Sequence, residues 1–141
     1  MGGNRFAKAD VIEASLMLAG ERVSDPTGLV YARLFTEHPH MEGLFCHDRN
    51  NAVKGEMLSR ALDNILDYIG ERHYADHLIR SECMTHDMYG VPPEVFSTFF
   101  ATVAATLQDI LGADWTAETD AAWRELLAEL AALTKGVAAA T

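Results

Sequence analysis

Apolar residues recur along this chain at the three- and four-residue intervals of a helix, and no window alternates as a strand would. From Ala7 to Arg22 the apolar set is Val11, Ile12, Leu16 and Leu18, a moderate helical face. Ser24-Asp25-Pro26 reads as a cap followed by proline at the first helical position. The helix it opens turns Leu29, Val30, Leu34 and Phe35 inward. His38-Pro39 ends that helix, and a short helical turn runs through Phe45 into the polar loop Cys46 to Asn51. The clearest helix follows, in which Val53, Met57, Leu58, Ala61, Leu62, Ile65, Leu66 and Ile69 keep the i, i+4 rule until Gly70. Glu71 to Met88 is more polar and carries His73, His77 and His86. Pro92 and Pro93 open a strong helix bearing Phe96, Phe99, Phe100, Val103, Leu107, Ile110 and Leu111, which Gly112 stops. Thr116 caps a last helix through Trp123, Leu126, Leu127, Leu130 and Leu133. The pattern predicts an all-α chain of about seven helices with short connections.

At 141 residues the chain has the length of one domain, residues 1–141, with residues 136–141 expected to fray. Eleven Lys and Arg against 21 Asp and Glu give a net charge of −10, which opposes binding to nucleic acid or to anionic membranes. Cys46 and Cys83 lie far apart with no CxxC spacing, which suits a reducing compartment. The N-terminus shows no signal-peptide run, and no stretch of some 18 consecutive apolar residues occurs. A cytoplasmic protein, monomer or homodimer, is expected.

His86 is the residue with the most chemical potential. It precedes the break Gly90-Val91-Pro92-Pro93 at the end of a helical stretch, thirty-two residues after Lys54 on the strong helix. A neutral imidazole at a helix end, facing a second helix across an apolar gap, is a candidate axial ligand for a buried iron. The alternative is an exposed histidine favoured by the helix dipole. His73 and His77 share i, i+4 spacing, but no HExxH pattern or third ligand accompanies them. Glu37 and His40 match a di-iron spacing once, interrupted by Pro39. His38, His40 and His47 read as surface residues.

The segment Tyr31-Ala-Arg-Leu-Phe-Thr-Glu-His-Pro39-His-Met-Glu-Gly-Leu-Phe45 resembles the corresponding stretch of bacterial haemoglobins and of the globin domain of flavohaemoglobins. The resemblance extends over nearly the whole chain, including the ending Asp120-Ala-Ala-Trp123. It implies a globin fold around haem b, iron protoporphyrin IX, with His86 as the iron ligand and Phe45 stacked on the porphyrin. It implies that Tyr31 lies on the distal side and hydrogen-bonds the ligand on iron. Setting Ala61 and Leu62 against the family's small-large pair puts Lys54 where globins carry His or Gln, with Leu58 one turn further on. Phe45, Leu58, Val91, Phe96 and Phe99 then supply a dry lining.

The chain also departs from that family. Flavohaemoglobins place a Tyr ten residues after the iron ligand and a Glu in the last helix; here those positions hold Phe96 and, near the end, Ala138. The resemblance therefore implies reversible binding of O2 or another small diatomic gas, with no catalytic residue. The alternatives are an NO dioxygenase served by a separate reductase, and a haem-free interaction module of the same fold.

Overall fold

The computed structural model describes residues 6–135 and forms no strand among them. Six α-helices and two 3-10 turns follow in chain order: α1 (Ala9–Arg22), α2 (Thr27–Glu37), a 3-10 turn (Pro39–Phe45), α3 (Ala52–Ile69), α4 (Ala75–Met88), α5 (Pro93–Leu111), a 3-10 turn (Gly112–Asp114) and α6 (Ala117–Thr134). The all-α expectation holds, and most boundaries fall within a residue or two of the punctuation in the sequence. The tail 136–141 lies outside the described residues, as does Ala138.

Local chemistry accounts for the ends. The Asp25 carboxylate accepts the Thr27 amide at 3.1 Å and the Thr27 hydroxyl at 2.6 Å, so α2 begins at Thr27 and Pro26 stands just outside it rather than at its first position. Thr116 caps α6 by accepting the Thr119 amide at 3.1 Å. Asp67, near the end of α3, gathers the amides of His73, Tyr74 and Ala75 and so anchors the start of α4.

The core lies where α5 meets α1, α2, α4 and α6. Phe100, Val103, Leu107 and Leu111 of α5 are buried against Ile12, Val30, Leu34, Trp123, Leu126 and Leu130. The helical run Pro93–Asp114 is long and apolar enough to cross a membrane by length and composition, with a mean hydropathy of 1.3. Its contacts with four other helices account for that hydrophobicity as core. The face of α1 that enters the core is Ala9, Ile12, Ser15 and Ala19, while Val11, Leu16 and Leu18 are only partly buried. Small residues there let α6 approach closely. Trp123 Nε1 donates to the Ser15 hydroxyl at 2.9 Å, and that hydroxyl donates to the Ile12 carbonyl at 2.6 Å, which satisfies both buried groups.

Candidate functional site

Helix α4 ends in a tight turn that holds His86 in place. Gly90 takes φ +91°, a left-handed conformation that a side chain would strain. The Val91 amide then donates to the His86 carbonyl at 2.9 Å and the Gly90 amide to the Asp87 carbonyl at 3.1 Å. This pairing is a Schellman motif, which satisfies the last carbonyls of the helix and folds Val91 back beside His86. Pro92 is extended and Pro93 starts α5, so the chain leaves the turn in one direction.

Within α4, the Nδ1 of His86 lies 2.7 Å from the Glu82 carbonyl one turn earlier. A carbonyl oxygen only accepts, so Nδ1 carries the proton and the lone pair is left on Nε2. The other flank of the ring meets Phe96, with centroids 4.9 Å apart. The imidazole is thus oriented by a backbone carbonyl and an apolar ring.

His86 lines a cavity of about 370 Å³, open to solvent on one side and walled by α2, the turn after it, α3, α4 and α5. That size falls within the range of about 300–1,000 Å³ usual for small-molecule sites. Tyr31, Phe45, Val91, Phe96 and Phe99 also line it, so the structure brings these five expected residues together with His86. Tyr31, Phe35, Phe45 and Phe99 form one aromatic cluster, with Tyr31 5.4 Å from Phe45 and 5.6 Å from Phe99.

The hydroxyl of Tyr31 is the anomaly in this wall. The side chain is 2% exposed, and among the described residues its oxygen is the buried side-chain polar atom without a hydrogen-bond partner. Burial, and secondarily the charge of Asp48, push the phenol well above its ordinary range, so it stays protonated and can donate. A buried donor left unpaired costs roughly 1–3 kcal/mol.

Lys54 and Leu58 lie elsewhere. The wall that α3 gives to the cavity is Val53, Met57, Ala61 and Asn64, so the expected register on this helix is corrected by one residue. Leu58 is 3% exposed in the core cluster. Lys54 lines a separate groove whose shared wall with the cavity is Phe45, and its Nζ lies 5.3 Å from the centre of that ring. There it pairs with Asp48 at 3.0 Å, the two side chains 14% and 2% exposed. Asp48 also accepts the Val53 amide at 2.8 Å and the Lys54 amide at 3.1 Å, capping α3. Its burial alone would raise the carboxyl; these hydrogen bonds and the Lys54 charge outweigh that and hold it below the usual carboxylate range. Lys54 is thus a tether for the start of α3.

A polar pair that periodicity does not reveal also stands at the cavity wall. The Asn64 amide donates to Glu82 Oε1 at 3.1 Å and joins α3 to α4 one turn before His86. An asparagine amid the apolar stripe of α3 was the available signal. His73 and His77 do not share a helix, because α4 starts at Ala75 and His73 instead meets Glu71 at 2.7 Å. No cluster of three or more metal-ligating side chains occurs among the described residues.

The all-α bundle thus lines an apolar cavity with one oriented imidazole and with a tyrosine whose buried hydroxyl has no partner. The model of the family described as Globin matches residues 28–133, and the chain belongs to the globin family. No curated protein and no solved structure matches it significantly. Globins in general bind haem and, through it, diatomic gases.

Proposed function

We propose that this globin is a haemoglobin of the bacterial type that binds O2 or a similar diatomic gas reversibly on haem b. The unpaired hydroxyl of Tyr31, a residue in the wall of an apolar cavity, is the observation that carries this reading. His86 would hold the iron through Nε2, Phe45 and Phe96 would pack on the porphyrin, and Val91 and Phe99 would close the lining. Haem, when bound, supplies the iron that takes up the gas. The chain's own part would be to orient His86 through the Glu82 carbonyl, to surround the group with an apolar lining and to offer it one phenol proton. A hydrogen bond to a partly charged acceptor adds roughly 1.5–3 kcal/mol, about ten- to a hundredfold in affinity.

Gas binding is favoured over strongly electron-pushing chemistry by the surroundings of the imidazole. Its Nδ1 partner is a neutral carbonyl and its flank is the Phe96 ring, so the hydrogen bond that orients it carries no formal charge. Cys46 is exposed and Cys83 buried, both as free thiols, which supports a reducing compartment. The test is the O2 dissociation rate of the ferrous protein. Tyr31→Phe should speed it ten- to a hundredfold; an unchanged rate would remove Tyr31 from the role proposed for it.

A further inference from the structure

Among the described residues, half of the large hydrophobic side chains that stand exposed sit on one helix and its caps. They are Tyr74, Leu78, Met84, Met88 and Tyr89, of which Met88 is 80% exposed. At 100° per residue they fall within roughly 140° of arc on α4. His77, Ser81 and Thr85, also exposed, fill the arc between them and carry no fixed charge. The one charged exposed residue of α4 is Arg80, which turns away to donate to the Leu133 carbonyl. A charge-free stripe four turns long is unexpected on a chain of net charge −10.

We propose that this face is where two copies of the chain associate, α4 against α4 of the partner, about a twofold axis at Ser81. The spacing is self-complementary about that residue. Leu78 and Met84 lie three positions either side of Ser81, and Tyr74 and Met88 lie seven either side. Antiparallel pairing therefore sets Leu78 of one copy beside Met84 of the other, and Tyr74 beside Met88. An isologous contact needs this property, because each patch must fit itself. Composition agrees, since Tyr and Met are enriched and charges depleted at interface centres.

Charge selects the occupant. Two molecules at −10 repel wherever their acidic surfaces meet, and this stripe is a face on which they approach without opposing like charges. It also offers no charge to recruit a basic partner. At about 200 Å² for a large side chain, the exposed parts of the five hydrophobics come to about 600 Å². The three polar residues between them bring the face towards the roughly 800 Å² per partner of a standard interface.

Sedimentation equilibrium of the full chain tests this, on the apo and haem-supplemented protein alike, so the result stands apart from the gas-binding reading. The wild type should pass from 15.5 kDa to twice that mass as concentration rises. Added salt should tighten the dimer by screening the acidic rims. Leu78→Glu and Met88→Glu, both at exposed sites and checked for unchanged helicity, should each weaken it at least tenfold. Met17→Glu, at a methionine 70% exposed on α1, should leave it unchanged. A wild type that stays monomeric into the millimolar range would overturn the proposal and leave the face to a different protein. A dimer indifferent to both α4 substitutions would overturn it equally.

Discussion

Tyr31 is paid for in stability and returns its cost only when something in the cavity accepts its proton. Its hydroxyl is buried without a partner among aromatic rings, so the folded chain carries a desolvated donor. Tyr31→Phe should therefore stabilise the haem-free protein, by about 1–2 kcal/mol, seen as a higher urea midpoint with an unchanged slope. The same substitution should weaken gas retention, and the opposite signs distinguish a functional donor from an ordinary core tyrosine. Asp48 and Lys54 behave differently, as a nearly buried pair. Lys54→Met strands the Asp48 carboxylate and should lower the melting temperature more than Arg60→Met, whose partner Glu56 is exposed. The pH dependence follows from Asp48 and Asp67, both held below their ordinary range. Their folded-state values lie below the unfolded ones, so their stabilisation is full above about pH 4 and drains away as pH falls through the folded values. Melting temperatures between pH 7 and pH 2 should show that loss, and Asp67→Asn should flatten it.

At the scale of elements, the turn after α4 decides where the imidazole sits. Gly90→Ala must strain a residue at φ +91° and should cost about 1 kcal/mol or more. Because that turn bonds back to the His86 carbonyl, the substitution should also weaken haem retention, measured by transfer to a competing haem acceptor. The sequence announced this element well, since Gly90, Pro92 and Pro93 punctuate the chain where the structure turns. Helix α3 was legible in extent but not in rotation. Two stripes on it satisfy helical spacing: Leu58, Ile65 and Ile69 enter the core, while Val53, Met57 and Asn64 face the cavity. Periodicity alone does not rank two such stripes, and one residue of register turns a helix by about 100°. The partners that settle it, Asp48 six residues before Lys54 and Glu82 of α4 for Asn64, lie outside α3. Tyr31, Phe45 and His86 were singled out by their joint spacing and the resemblance it carries, and the structure brings them to one cavity with Val91, Phe96 and Phe99.

The whole molecule is a helical core built on α5, with an apolar cavity walled by α2, the turn after it, α3, α4 and α5 and an uncharged face on the outside of α4. A ligand that binds only the folded state adds stability as RT ln(1 + [L]/Kd), about 4 kcal/mol at a thousand times Kd. Haem should thus raise the melting temperature of the wild type, and raise that of His86→Gly much less. The most direct measurement is a haem titration followed by absorption, on the wild type and on His86→Gly with and without free imidazole. A Soret band should saturate at one haem per wild-type chain, be lost or displaced in His86→Gly and be restored by imidazole. A wild type that stays colourless, or a His86→Gly spectrum identical to it, would contradict the account.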